Sequence, residues 1–592
     1  VEDPFCYYTV SILHYKVRIM RYLALACDYD GTLAHDGQVA DQTISALERL
    51  RASGRKLVLV TGRQLPDLLS VFPRMDLFEW VVAENGCHLY RPSTQEKKPL
   101  GDPPPAKFIL ELQRRKVEPL TVGQSIVATW TPHETTVLEV IRQLGLELQL
   151  IFNKGAVMVL PPGKNKATGL AAALNEMNLS PHNVAGIGDA ENDHAFLKFC
   201  ECSAATANAL PMVKESVDFV TQGIDGAGVT EVIDELIRTD LSEREAMLWR
   251  HHILLGTRAN GEEIRIGITG LNLLLAGSSG GGKSTTATSI VERLVEQHYQ
   301  FCVIDPEGDY VIEEAVTLGD HNHAPTVDEG VSVLSDPQNN AVLNLVGLPV
   351  NDRPEFFLTL LIRLQELRAQ TGRPHMIIVD EAHHVLPASW EPAAMTIPKT
   401  LERMIYITVE PQSVTRSVLS TVNTVIALGG EPKKIFTELS DAVGEQPPPL
   451  QDAALQKGEV FVWLKNKNEP PLKVKVIPSR GQRRRHKRKY AEGDLGPERS
   501  FYFQGPEKKL NLRAQNLMLF MQLADGVDDD TWTYHLRQGD YEHWFREVVK
   551  DDTLASEAAH VAGLTEVSAA ESRRLIKAAI NERYTAPSQK QS

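Results

Sequence analysis

Short apolar runs that each stop at a polar loop, alternating with helical periods, are what most limits the fold of this chain. In residues 20–240 the runs YLALACDYD, KLVLVTGR, WVVAENG, NVAGIGDAEND and VDFVT read as buried strands. Between the first two, DQTISALERLRASG has the period of a helix, with Asp41 as its N-cap and Gly54 past its end. This alternation predicts a parallel sheet covered by helices. Ligands of such a sheet belong at the carboxyl ends of its strands, where this sequence puts its acidic residues and glycines. A second α/β block runs from about 270 to 465, with strands NLLLAG, QFCVIDPEG, HMIIVDEAH, MIYITVE and TVIALGG. Ahead of it, Asn260-Gly261 between extended segments of 252–266 is a hairpin signal. A polar linker, 478–500, contains GQRRRHKRKY, and the tail of 501–585 has helical periodicity with Trp532 and Trp544. There are no tandem repeats.

Composition narrows the classes. At roughly 150 residues per domain, 592 residues ask for about four domains. The net charge of −15 argues against a protein that coats nucleic acid through its overall charge. No apolar stretch reaches the length of about 18 residues that a membrane span needs. The six cysteines are sparse, and Cys200-Glu201-Cys202 lacks a second ligand pair for zinc, so reduced thiols and a cytoplasmic location are expected. Residues 1–19 lack a signal-peptide layout and are expected to be a poorly structured extension or a misplaced start before Met20.

In the first block, CDYDGTL puts Asp28 and Asp30 at a strand end, and Gly31 permits a sharp turn. Two carboxylates so placed divide labour: one attacks phosphorus, the other gives and takes the leaving-group proton. Such a transition state needs positive charge, best supplied by Mg²⁺ with oxygen ligands. Asp189 and Asp193 in GIGDAENDHAF supply further metal carboxylates. Thr61 of VTGR offers a hydroxyl to a phosphate oxygen, and Lys166 of PPGKNKATGL offers a cation, with Lys164 its rival.

With these four pieces in order, residues 20–240 resemble the haloacid dehalogenase (HAD) superfamily, in its Cof-type (IIB) branch, which includes sugar-phosphate phosphatases. ATANALPMVKESVDFVT followed by GAGV resembles that branch's C-terminal pattern. The resemblance implies a Rossmann-like parallel sheet with an inserted α/β cap at about 84–160. It implies Asp28 as nucleophile, Asp30 as general acid/base, and Thr61 and Lys166 as the phosphate-stabilising pair. Asp28, the backbone carbonyl of Asp30, Asp189 and Asp193 would serve Mg²⁺. Lys166 is preferred because KATGL is similar to the family's pattern, with Ala167 replacing a glycine. Asn85 sits where this branch often contacts substrate; a structural turn is the alternative.

In the second block, GSSGGGKS spans Gly277 to Ser284, follows an apolar strand and opens a helix. This is a phosphate loop (Walker A), in which Gly277, Gly280 and Gly282 free backbone N–H groups for phosphates. Lys283 reaches the β- and γ-phosphates, Ser284 coordinates Mg²⁺, and Thr285 completes the expected ATP-binding set. MIIVDEAHHV ends on Asp380, for the Mg²⁺ shell, and Glu381, to polarise attacking water. His383 and His384 read as its flank rather than as metal ligands. The block resembles the HerA/FtsK-type ATPases: CVIDPEGDY is similar to that branch's second-strand pattern, with Asp309 for Glu, and LLGTRANGEEIRI to its preceding hairpin. That branch consists mainly of hexameric motors moving DNA or polypeptide, which brings homo-oligomerisation into the expectations. Glu410 or Gln412 stands at the sensor position, and Arg416 is a candidate arginine finger.

Arg483 to Lys489 form a dense cationic run that suits nucleic-acid phosphates or a solvated linker. The tail resembles a small helical domain of uncharacterised function, at His535, Asp540 and Trp544; packing and capping are their expected roles. The domains expected are therefore an extension (1–19), a HAD hydrolase (20–240), a P-loop ATPase (252–470), a basic linker (478–500) and an α-helical C-terminal domain (501–585). The expected function is Mg²⁺-dependent hydrolysis of a phosphorylated small molecule, a sugar phosphate or phosphoglycolate-like ester, through an aspartyl phosphate, together with ATP hydrolysis. The alternatives are a nucleic-acid motor with an accessory HAD domain, or a regulatory or defence scaffold.

Overall fold

The computed structural model describes residues 20–278, 281–389, 401–450, 455–467, 469–479, 490, 495, 499–506, 508, 510–549, 551–564 and 567–584. The expected extension 1–19 lies outside them, as do Gly280 and the basic run 483–489.

The first block is built on an eight-stranded sheet. Its strands are β1 (Ala24–Cys27), β2 (Lys56–Val60), β3 (Trp80–Ala83), β4 (His88–Arg91), β5 (Glu96–Pro99), β10 (Val184–Gly188), β11 (Cys202–Ala205) and β12 (Phe219–Val220). The order is β12-β11-β10-β1-β2-β3-β4-β5. From β12 to β3 neighbours are parallel, and β4 and β5 add an antiparallel edge. β1 is central and wholly buried: Leu25 and Cys27 pack into one layer of the core, Ala24 and Ala26 into the other. Burial on both faces is why the strand reads as an unbroken apolar run. The helix Asp41–Ala52 begins one residue earlier than expected: Ala40 is its N-cap, and Asp41 lies in the first turn, where its charge suits the helix dipole. Gly54 follows the helix with φ +89°.

Four further strands, β6 (Thr121–Val122), β7 (Val127–Trp130), β8 (Gln149–Asn153) and β9 (Ala156–Leu160), form an antiparallel sheet in the order β6-β7-β9-β8. Helices Ala106–Arg114 and Glu134–Leu144 pack on it through Phe108, Leu112, Val137 and Val140. This is the inserted cap. Because β4 and β5 pair with the core sheet, the cap layer starts near Ala106 rather than near 84.

The second block has an eleven-stranded sheet of β13 (Ile253–Thr257), β14 (Glu263–Ile266), β15 (Asn272–Gly277), β16 (Phe301–Asp305), β17 (Ala315–Leu318), β18 (Asn340–Asn344), β19 (Met376–Val379), β20 (Met404–Thr408), β21 (Thr424–Leu428), β22 (Glu459–Leu464) and β23 (Leu472–Val476). The order is β14-β13-β23-β22-β21-β15-β20-β19-β16-β18-β17. The strands from β21 to β17 are parallel; β22, β23 and the Asn260-Gly261 hairpin β13–β14 extend the sheet antiparallel. Alternate residues serve opposite faces, as with Cys302 and Ile304 against Phe301 and Val303.

The C-terminal region packs five helices, from Leu517–Gly526 to Ala569–Tyr584, around Phe520, Trp532, Tyr541 and Trp544. A small hairpin, β24 (Phe501–Phe503) with β25 (Leu512–Ala514), joins that core and was not visible in the helical periodicity. Among the described residues no helix is long and apolar enough to cross a membrane. Cys27, Cys87, Cys200, Cys202 and Cys302 are buried free thiols.

Candidate functional site

The carboxyl ends of β1, β2 and β10 bring the first set of residues together. Asp28 follows β1 and is buried. The Lys166 ammonium, at the start of helix Lys166–Glu176, donates to Asp28 Oδ1 and Asp193 Oδ1, both at 2.5 Å. Lys164 shows no such contact; its carbonyl accepts from Gln149. Asp193 Oδ2 accepts the backbone N–H groups of Asp189 and Ala190, each at 2.9 Å, so this carboxylate fixes both the lysine and its own loop. Asp189 accepts from Thr32 Oγ1 at 3.0 Å. A Cβ on Gly31, whose φ is +78°, would collide with the Asp189 carboxylate, so the turn needs glycine for clearance as well as backbone freedom.

Carboxylate oxygens of Asp28, Asp189 and Asp193 lie within 4.8 Å of one another. Burial, then repulsion from Asp193, pushes the Asp28 carboxyl well above its ordinary range, against the pull of Lys166. Burial likewise raises Asp189, against Lys154. Burial works against the Lys166 charge, but Asp193 and Asp28 outweigh it and raise its pKa. The cluster thus holds more negative charge than its lysines neutralise. Hard oxygen donors in that condition fit a divalent cation such as Mg²⁺.

Thr61 is buried after β2, its hydroxyl accepting the Arg63 N–H at 3.1 Å. Arg63 was not singled out from the sequence, yet it grips Asp30 with two bonds of 2.7 Å and reaches Asp67 at 2.7 Å. Its bidentate fork fixes the plane of the Asp30 carboxylate. Asn85 is wholly buried in a left-handed turn (φ 51°) and accepts from Asn192 at 2.9 Å, so the structure gives it a turn's role. Glu84 ties cap to core by accepting the N–H groups of Gln124 and Ser125. The cap also sends Lys154 to Asp189.

In the second block β15 runs into the glycine-rich loop that the sequence reads as a phosphate loop. Gly282 has φ +100°, and Lys283 opens helix Lys283–Glu296, with Ser284 and Thr285 in its first turn. The Lys283 ammonium donates to the carbonyls of Gly277 (2.8 Å) and Ser278 (3.2 Å). Asp380 follows β19, two strands from β15, and is buried. Burial, then Asp305 and Glu381, pushes its carboxyl well up. Glu381, in the turn after β19, has φ +39°, a left-handed conformation that non-glycine residues rarely take and that recurs at functional turns. Asp305 accepts the N–H groups of Glu307, Gly308 and Tyr310, organising the DPEGDY loop. Glu307 and Asp309 of that loop meet Arg499 from the C-terminal region at 3.3 and 3.9 Å. His383 lies beside Thr408 Oγ1 (3.2 Å) and stacks near His384, consistent with a structural flank. Glu410 accepts from Ser413, Gln412 is exposed, and Arg416 donates to the Val443 carbonyl.

In the C-terminal region, His535 Nδ1 donates to Asp540 (2.7 Å) and its Nε2 accepts the Gln504 N–H (3.0 Å), while Trp544 donates to the Arg499 carbonyl. Both ring nitrogens of His535 are spent on structure. Where the two α/β blocks meet, His182, Glu201 and His251 have metal-ligand chemistry. There, however, the His182–Glu201 separation of 2.6 Å is a direct hydrogen bond, and Arg21 already supplies the carboxylate with a cation.

Residues 25–107 and 138–233 match the family model of the haloacid dehalogenase-like hydrolases, and residues 255–383 match that of the helicase HerA central domain. The phosphoglycolate phosphatase of Haloarcula marismortui is 30% identical over 217 residues, covering 35% of this chain and 95% of that protein. That of Methanothermobacter thermautotrophicus is 29% identical over 219 residues, covering 36% and 96%. The chain belongs to the haloacid dehalogenase-like hydrolases. It is a fusion, in which a Cof-type HAD block precedes a HerA-type domain. A solved haloacid dehalogenase-like hydrolase from Bacteroides thetaiotaomicron aligns over 36% of this chain and 99% of its own, with 20% identity and a TM-score of 0.33.

Proposed function

We propose that the first block is an Mg²⁺-dependent phosphatase of a small phosphorylated molecule, a sugar phosphate or phosphoglycolate-like ester, and that the second binds and hydrolyses ATP. The observation that carries the phosphatase reading is the Lys166 ammonium held 2.5 Å from both Asp28 and Asp193, at the end of the central strand. Lys166 holds Asp28 in place for attack on phosphorus. The P–O ester bond breaks as the aspartyl phosphate forms, and the leaving oxygen takes a proton from Asp30 in its acid form, one oxygen of which must first leave the two-bond Arg63 fork. Asp30 then removes a proton from water, whose oxygen displaces phosphate and regenerates the Asp28 carboxylate. Asp28, Asp189 and the Asp30 carbonyl would hold Mg²⁺, with Asp193 supporting them, and the ion would supply positive charge against the phosphoryl oxygens. The phosphoglycolate phosphatases among the relatives support the substrate class.

The test is phosphate release from a panel of sugar phosphates and 2-phosphoglycolate. Excess EDTA is expected to lower release by about 100-fold or more, about 2.7 kcal/mol, and added Mg²⁺ to restore it. A panel in which no ester is hydrolysed with Mg²⁺ present would sink the reading.

For the second block, the Lys283, Ser284, Asp380 and Glu381 set supports ATP binding and hydrolysis. Charged hydrogen bonds contribute about 1.5–3 kcal/mol. Lys283→Ala is therefore expected to weaken ATP binding by about 10- to 100-fold, measured by titration with a fluorescent ATP analogue. Equal affinity of variant and parent would count against a nucleotide site here.

A further inference from the structure

We propose that Lys154, at the tip of a cap hairpin, selects substrates whose leaving group carries a second anion, a carboxylate close to the ester oxygen. The proposal rests on the phosphatase reading above and adds to it a residue that reads the leaving group.

β8 and β9 are joined by the two-residue turn Lys154-Gly155, with Asn153 paired to Ala156. Both turn residues have positive φ, +47° and +89°. Such turns favour Asn, Asp or Gly at the first position, and lysine has no local means of relieving the conformation. The position is held by contacts with the core. The Lys154 N–H donates to Glu191 at 3.1 Å, and its ammonium pairs with Asp189. A Cβ on Gly31 would stand 2.8 Å from that ammonium, so it also lies against the loop bearing Asp28 and Asp30. The cap tip is therefore fastened to the loops that carry the chemistry.

Of the two lysines at the cluster, Lys166 is buried and committed to Asp28 and Asp193. The Lys154 side chain remains 45% exposed. A divalent ion held by Asp189 would compete with the ammonium for the same carboxylate. Its hairpin tether keeps the released ammonium at the rim, on the cap side. Asp28 attacks from the core side, so in-line displacement sends the leaving oxygen toward the cap. A short leaving group thus presents its substituent to Lys154. An ammonium freed from Asp189 at the cap rim can form a charge-assisted hydrogen bond with a carboxylate on the substrate, whereas an uncharged alkyl group offers it no acceptor.

The experiment compares 2-phosphoglycolate with ethyl phosphate, which replaces the carboxylate with a methyl group, using the full chain with saturating Mg²⁺. Wild type is expected to favour 2-phosphoglycolate in kcat/KM by about tenfold or more. Lys154→Met is expected to lower that preference by about tenfold, mainly through a higher KM for 2-phosphoglycolate. Lys154→Arg is expected to recover part of the loss. Equal effects of Lys154→Met on both esters, including an equal gain from tighter Mg²⁺ binding, would overturn the assignment, as would no effect on either. Wild type inactive on both esters, and on the wider panel, would instead remove the phosphatase reading on which the proposal stands.

Discussion

Asp28→Asn is expected to lower phosphate release by about 10⁴-fold or more, about 5.4 kcal/mol in the barrier, while leaving the fold intact. The carboxamide has nearly the shape of the carboxylate but cannot attack phosphorus. Lys166 keeps its second carboxylate, Asp193, at 2.5 Å, so the cluster retains an internal ion pair. Burial holds the Asp28 carboxyl well above its ordinary range, with Asp193 adding to the rise. The sign for stability follows. A carboxyl whose folded pKa exceeds its unfolded one stabilises the fold at low pH and loses that contribution as pH rises through the folded value. At neutral pH the ionised form opposes folding, and a neutral Asn removes that opposition. In EDTA the variant should therefore melt at or above the wild-type temperature. Added Mg²⁺ should raise the wild-type melting point more than the variant's, because ligand binding to the native state stabilises it. Paired melting curves and phosphate-release assays check both halves. A variant that keeps wild-type turnover would remove Asp28 from the chemistry, and one that is unfolded would void the assay as a test of mechanism.

Asp28, Asp189, Lys283 and Asp380 were legible in the sequence because each follows a buried apolar run or opens a helix. A parallel sheet places strand ends at one edge, so residues far apart in the chain converge by topology alone. The same rule gave both sheets and their order along the chain. Arg63, Lys154 and Glu201 were not legible. Arg63 meets Asp30 across 33 positions, and Lys154 meets Asp189 across 35. A lone arginine or lysine in a loop carries no signal until the partner's position is known. Lys154 did leave one trace, since NKG between two extended runs is a tight-turn sequence, but its aim depends on how the cap sits over the core. The start of the cap was misplaced for a related reason. β4 is a short strand like those of the cap, and only its pairing of Val81 with Tyr90 and Val82 with Leu89 assigns it to the core sheet. The N-cap was off by one residue, since both Ala40 and Asp41 precede the apolar period and backbone angles alone separate them.

Glu201→Gln is expected to cost about 3–5 kcal/mol, the range for removing one partner of a buried ion pair. Glu201 is 1% exposed. It receives the Arg21 guanidinium, the His182 ring at 2.6 Å and the Tyr299 hydroxyl at 3.2 Å. Tyr299 belongs to the second block and stacks on His182 at 3.8 Å between ring centroids. His182 Nε2 faces the Gln297 carbonyl at 2.7 Å. His182 thus lies between the Glu201 carboxylate and the Gln297 carbonyl of the second block. Gln297 caps the end of helix Lys283–Glu296, and His182 lies just before β10, whose far end leads to Asp189. One carboxylate therefore anchors the two α/β blocks to each other. Burial opposes its charge, but Arg21 and His182 overcome this and hold it well below the ordinary range. A depressed carboxyl contributes stability above its unfolded pKa of about 4.5, and that contribution is lost as pH falls through the folded value. Gln leaves Arg21 and His182 without their anion at every pH. The melting point near neutrality should drop by roughly 10 °C, at about 2–4 °C per kcal/mol for a domain of this size. The gap to wild type should narrow in acid, as the parent loses the same contribution. Scanning calorimetry from neutral to acid pH measures both effects. An unchanged melting point at neutral pH would mean that the stacked Tyr299–His182 contact and the apolar surface around it, rather than the ion pair, hold the blocks together.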